Sequence, residues 1–484
     1  MSECLGTRGV RRFAVLAAAV SLVLAVSGCG SQVDRAEIAR AAGDLGAATV
    51  DGQGMGAVPP AGVGVPQAET GGVAIPGNAS TGVAATAPGA AAPVTGTGSA
   101  GAAVGKGPQP AAGARPGSAP QIADRPEIKL GHIGTYSGVL GAIFKGGREM
   151  TQVWASWVNA RGGLNGHPVR VITADDGGDP SRNLSLVRSL VEQQKVIAFF
   201  GAITPLSLNG SKAYLEQKQI PLVGGDLTDV GWYESPMFFP QGALIDGPLR
   251  GTAQLAVKHG GAKVALIYCG EAAACYRARD IYNAGAVTKA GGELVYTAQV
   301  SLAQPDFTAE CLQLRFRGVQ AVVATVDGNS LARIARDCKQ QNVKVTFVSF
   351  ALALVDSLRD SPDLDGLVAA AGAFPWTLND GPAADYAAAL SQYGPRISTS
   401  GSTSSVWGSG LLLQAASRAL PAGAVTSADL LNGLWALKKE TLGGLAPPLT
   451  FRKGQPPVEM FCWYRIALNK GVFSAPDGLK YTCT

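Results

Sequence analysis

The sequence predicts an α/β protein made of two doubly wound, parallel-sheet lobes in tandem. Three observations predict it. From about residue 125 onward, short apolar runs alternate with longer helical stretches. Helices end at Gly-Gly pairs, and polar turns with Pro launch the helices that follow. The whole strand–helix phrase then recurs in a second half, and βαβα order implies parallel strands with helices on both faces.

In the first half, EIKLGHIG reads as a strand, and roughly Ala142–Ala160 as a helix ended by Gly162-Gly163. HPVRVITADD is the next strand. Asp179-Pro180-Ser181 opens a helix, with a capping side chain before a proline at the first helical position. KVIAFFGA, a helix through Lys218 and IPLVGG follow. The second half begins with the strand KVALIYCG and a helix running to Gly291-Gly292. ELVYTAQV, a helix from about Asp306, QAVVATVDG, a helix to Cys338 and KVTFVSF complete it. The tail from Pro382 to Lys439 reads as mostly helical, followed by the strand-like PPLTFRKG and PVEMFCWYRIAL.

The N-terminus predicts export. Arg8, Arg11 and Arg12 precede an apolar run from Phe13 to Val26, which closes on Val26-Ser27-Gly28-Cys29. A basic region, a short apolar region and small residues before a cysteine make a bacterial secretion signal of the lipoprotein kind. The pattern resembles a lipobox, which implies cleavage of residues 1–28 and lipidation of Cys29. The run is too short to span a bilayer, which takes about twenty apolar residues. Residues 29–124 are dominated by Ala, Gly, Pro, Val, Ser and Thr. Such a composition buries too little apolar area to offset the entropy of ordering. The expectation is a lipid-anchored disordered stalk, with a short helix at Asp34–Leu45 and a typical span of roughly 50 Å.

Charge and composition exclude several functions. The formal net charge is +5, and the three arginines and one glutamate of the signal leave about +3 on the chain from Cys29. No basic run or aromatic-interleaved patch occurs, so a nucleic-acid partner is not expected. The chain has eight cysteines and three histidines. Cys4 and Cys29 aside, six cysteines allow 15 pairings. Proximity favours Cys269–Cys275, Cys311–Cys338 and Cys462–Cys483. No CxxC or His pair supports a metal, and no cofactor is expected. There is no GxSxG elbow and no Walker A loop, and GTGSAG at Gly96–Gly101 matches a dinucleotide fingerprint only by letter, with no strand before it. The chain is therefore not expected to be an enzyme. A hydrolase using Asp226 with a hydroxyl is the weakest alternative.

From Glu127 to about Ser474 the chain resembles a type I periplasmic binding protein of the branched-chain amino acid and amide group. IKLGHIGTYSG is similar to that family's first strand and ligand loop. NARGGLNGHPVRVITADDGGDPSRN, FFGAITPLS, IPLVGGDLTD, KVALIY and PLTFRKG follow in the family's order. The resemblance implies a Venus-flytrap with a three-crossing hinge. Lobe 1 is expected at residues 125–246 with 373–446, and lobe 2 at 247–372 with 447–484. It implies a lipoprotein on the outer face of the cell membrane, acting as a monomer, that captures a small polar solute for ABC permease subunits. A ligand-sensing or scaffold lipoprotein of the same fold is the alternative.

Ligands of open α/β sheets bind beyond the carboxyl ends of the strands. That rule nominates Thr135, Tyr136 and Ser137 after the first strand, Thr204 and Ser207 after the third, and Asp226 and Thr228 after the fourth. From the second half it nominates Glu271, Tyr276, Asp327 and Phe350. By resemblance, the Thr204–Ser207 region meets the ligand carboxylate, and Thr228 lies near its ammonium. Cys275 or Tyr276 falls at the family's first Tyr position and Asp327 near the second. The match departs at Pro205, where a contacting Ser is expected, and at Ala351, where a Glu is expected. Both departures weaken the amino-acid assignment.

Overall fold

The structure is a computed structural model that describes residues 125–484, apart from Val139. The signal, Cys29, the stalk and the helix expected at residues 34–45 lie outside the described residues.

The first sheet holds β1 (Ile128–Gly134), β2 (Val169–Asp175), β3 (Ala198–Ala202), β4 (Leu222–Gly225) and β5 (Phe238–Phe239), all parallel, in the order β2-β1-β3-β4-β5. Between them run α1 (Gly141–Asn159), α2 (Pro180–Glu192), α3 (Asn209–Lys218) and the single turn α4 (Gly231–Glu234). The start of α2 follows from its sequence: the Asp179 carboxylate accepts from Arg182 N–H at 2.7 Å, and Pro180 takes the first helical position.

The chain then crosses into α5 (Asp246–His259) and a second sheet. Its strands are β6 (Lys263–Cys269), β7 (Glu293–Val300), β8 (Ala321–Thr325), β9 (Thr346–Phe350) and β10 (Leu367–Ala371). Four helices join them: α6 (Ala273–Asn283), α7 (Ala286–Lys289), α8 (Thr308–Phe316) and α9 (Gly328–Gln340). The parallel part runs β7-β6-β8-β9-β10. That is the order of the first sheet repeated, so the recurring sequence phrase corresponds to a repeated topology.

Next, α10 (Ala384–Tyr393), α11 (Gly401–Ala416) and α12 (Ser427–Ala436) return to the first sheet, where α11 packs on β3, β4 and α1. The chain finally goes back to the second sheet as β11 (Cys462–Asn469), β12 (Val472–Ser474) and β13 (Thr482–Cys483). These last strands are antiparallel, so the second sheet is mixed rather than wholly parallel. The stretch PPLTFRKG forms no strand: Leu449 makes an isolated bridge with Glu440, while Leu449 and Phe451 are buried as loop side chains.

Where the chain crosses between sheets, its segments touch at backbone distance. Ala243 N–H donates to the Gly372 carbonyl at 3.2 Å. A Cβ on Gly372 would lie 2.8 Å from the Ala243 carbonyl oxygen, and one on Gly247 would lie 2.6 Å from that of Cys462. Only glycine fits at these two crossings. Three disulfides are present: Cys269–Cys275 after β6, Cys311–Cys338 between α8 and α9, and Cys462–Cys483 between β11 and β13.

Candidate functional site

In both sheets, the point where strand order reverses lies beside the first strand, and chain leaving the strands' carboxyl ends there forms a rim. On the first rim, Asp176 is fully buried. Its carboxylate accepts from Thr135 Oγ1 (2.9 Å), Gly178 N–H (2.8 Å), Ser207 Oγ (2.7 Å) and Asn183 Nδ2 (2.8 Å). The hydroxyls of Thr135 and Ser207 thus point inward and join the loops after β1, β2 and β3. Ser137 is exposed at the edge of the same loop.

Tyr136 folds back over Gly134, where a Cβ would lie 2.5 Å from the tyrosine ring. Its hydroxyl reaches His132 Nε2, and His132 Nδ1 lies 3.1 Å from the Phe200 carbonyl. A carbonyl can only accept, so Nδ1 carries the proton and Nε2 accepts from the tyrosine O–H. Burial, partly opposed by the Phe200 carbonyl, lowers the His132 pKa to about 4, so the ring is neutral at pH 7.

Asp226 is the second buried carboxylate of this rim. It accepts from Thr204 N–H (2.6 Å) and from both the N–H and Oγ1 of Thr228 (2.9 Å each). Burial raises its pKa to about 6, although these three donors pull it back.

The second rim also engages its polar side chains within the protein. Glu271 accepts from Ser301 Oγ (2.7 Å) and Leu302 N–H (2.9 Å). Tyr276 donates to the Gly270 carbonyl at 2.9 Å. Asp327 caps α9, accepting from Asn329 N–H (2.9 Å), Ser330 N–H (3.2 Å) and the Ser330 hydroxyl.

Two cavities lie where the rims face each other. The hinge-side cavity, about 30 Å³, is lined by Asp226, Phe350, Ser404, Ser405 and the small residues Ala370–Ala373 of the crossing chain, among others. The second, about 50 Å³, is the cleft proper. Leu140, Ile143, Phe144, Pro205 and Thr228 line it from the first sheet's side. Cys269, Cys275, Ala272, Ala274, Leu302, Val326, Asp327, Phe350, Leu352 and Ala353 line it from the other.

Of the nominated residues, Asp226, Thr228, Asp327 and Phe350 line these cavities. Thr135, Tyr136, Ser137, Thr204, Ser207, Glu271 and Tyr276 do not. The expectation of a polar solute therefore meets a cleft whose walls are almost wholly apolar. Sequence reasoning passed over the apolar start of α1, Leu140–Phe144, and the Cys269–Cys275 cystine. A signal was available: that helix opens with hydrophobic residues directly after a rim loop.

Among the described residues there is no cluster of three metal-ligating side chains, and no helix is long and apolar enough to cross a membrane.

The family model described as "Periplasmic binding protein" matches residues 127–467. This chain belongs to the periplasmic binding protein family. An amino acid binding protein of Pseudomonas aeruginosa is 22% identical over 271 residues, covering 53% of this chain and 70% of that one. Among solved structures, the R. palustris ABC-transporter solute-binding protein in complex with benzoate superposes with a TM-score of 0.62 at 17% identity, over 74% of this chain and 97% of that one. A branched-chain amino acid transporter substrate-binding protein of Streptococcus pneumoniae, in complex with isoleucine, gives 0.61 at 17%, over 74% and 99%. These similarities establish the type I periplasmic binding protein fold, with two α/β sheets carrying facing rims. The family and these neighbours are substrate-binding proteins, and the family implies an extracytoplasmic location.

Proposed function

We propose that this periplasmic binding protein is the lipid-anchored substrate-binding component of an ABC importer, capturing one small solute between two closing lobes. Lobe 1 comprises residues 125–246 and 373–446, and lobe 2 residues 247–372 and 447–484. Residues 1–28 are the lipoprotein signal, Cys29 carries the lipid, and 29–124 form the stalk. The observation that carries this reading is the cavity lined from both rims, next to a hinge-side cavity that the crossing glycine Gly372 lines. A solute touching both walls binds the closed form more tightly than the open one, which is what shifts the equilibrium toward closure. The closed monomer is then the species the permease subunits recognise. The named relatives bind amino acids, isoleucine or benzoate, so an amino acid, amide or small acid defines the first panel.

Thermal melts of the chain against that panel test the binding role. A solute at 100 times its Kd adds about 2.7 kcal/mol, enough to raise Tm by several degrees. A panel that leaves Tm unchanged contradicts solute capture. Loss of uptake of the same solute on deletion separates transport from sensing. Release of the Cys29→Ala protein from the membrane fraction tests the anchor.

A further inference from the structure

Resting on solute capture as just proposed, we infer that the cleft takes a hydrophobic molecule with at most one polar end, aliphatic or aromatic, and not an α-amino acid. The wall facing the solute is Leu140, Ile143 and Phe144 on one side, with Leu302, Val326 and Phe350 opposite. The cleft contains two residues with polar side chains, Thr228 and Asp327. The Thr228 hydroxyl donates to Asp226, and the Asp327 carboxylate caps α9.

A zwitterion needs a counter-charge or several hydrogen bonds at each end, because burying an unpaired charge is far more costly than burying hydrocarbon. For the carboxylate, the rim N–H groups of Thr204 and Thr228 are already taken by the internal carboxylate of Asp226, and Pro205 offers no N–H. For the ammonium, both nearby acids are engaged: Asp226 by three donors and Asp327 by its own helix. The nearby guanidinium of Arg148 lies 5.6 Å from the Tyr136 ring centre, and neither residue lines the cleft. The cleft lining thus offers no free counter-charge for an ammonium and no basic side chain for a carboxylate. The Cys269–Cys275 cystine adds a polarisable apolar surface to the floor.

The test is calorimetric titration of the full chain with two matched series. One is L-leucine, 4-methylpentanoate and 4-methyl-1-pentanol; the other is L-phenylalanine, 3-phenylpropanoate and 3-phenyl-1-propanol. At least one deaminated compound is expected to bind at least tenfold more tightly than its parent amino acid. Affinity for it should rise about fourfold with each added methylene. Ile143→Ser and Val326→Ser should each weaken it tenfold or more while the protein still melts cooperatively. An amino acid that binds as tightly as its deaminated counterparts overturns the inference and leaves solute capture standing. Silence from all six compounds also overturns it, and the broader melting panel then decides capture separately. Binding that both serine variants leave unchanged places the hydrophobic compounds outside the cleft and overturns the inference too.

Discussion

The two rims are built on the same strand order, yet they engage their polar residues differently. On the first rim, two buried carboxylates gather donors from several loops: Asp176 joins the segments after β1, β2 and β3, and Asp226 joins those after β3 and β4. On the second rim, the exposed Glu271 links the loops after β6 and β7 through Ser301 and Leu302, while Asp327 caps α9 and Tyr276 closes onto Gly270 six residues back. The first rim is a buried, cross-linked polar network, whereas the second has an exposed cross-link at Glu271 and local caps beside an apolar wall. A polar residue at a strand's carboxyl end is therefore weak evidence for ligand contact, because backbone donors in the same loops compete for it.

The largest break in this comparison is Asp176→Ala. It leaves four donors without their acceptor, three of them buried, and should cost about 4 kcal/mol, read as a fall in the urea midpoint. An effect below about 1 kcal/mol would mean the loops repack without it.

The next effect depends on pH and has two opposing parts. Asp226 titrates near 6 in the folded state against about 3.8 unfolded, so the native protein holds the extra proton between those values. Its contribution is fully present below about pH 4 and is lost as pH rises through 6, on the order of 3 kcal/mol in all. His132, lowered to about 4 from 6.5, does the reverse: stability falls as pH drops from 6.5 toward 4. The two slopes oppose each other across pH 4–6. Asp226→Asn should therefore make the protein lose stability more steeply on acidification than wild type, and His132→Gln less steeply. Equilibrium unfolding at several pH values reads both, and parallel curves for all three proteins would contradict the assignment.

On the second rim, effects should be smaller and local. Asp327→Ala removes a helix cap and should cost about 1–2 kcal/mol. Tyr276→Phe should cost at most about 1 kcal/mol in the same unfolding assay. If either variant destabilised the protein as much as Asp176→Ala, the contrast between the rims would not hold.

Much of the fold was legible because its signals are local. Asp179-Pro180 announced α2, and apolar runs such as KVALIYC announced buried central strands. Four strands escaped, among them the short β12 and β13 at the end of the chain. β5 is two residues long, and β10, LVAAA, lacks the β-branched residues that mark a strand although it is buried on both faces. PPLTFRKG misled in the other direction, since its apolar residues bury without finding a ladder partner. The site was legible only as a position. The rule of strand ends led to the correct edge of each sheet, but whether a hydroxyl or carboxylate there faces solute or holds a loop depends on donors brought from distant sequence. Asp226 and Thr204 are 22 residues apart, and Asp176 and Ser207 are 31 apart.

The most direct measurement compares wall with rim, using the tightest-binding compound of the matched series. Its Kd should rise tenfold or more in Phe350→Ser and stay within about twofold of wild type in Tyr276→Phe and Ser137→Ala. The opposite pattern, with affinity lost on removing rim hydroxyls and kept on cutting into the apolar wall, would contradict the account.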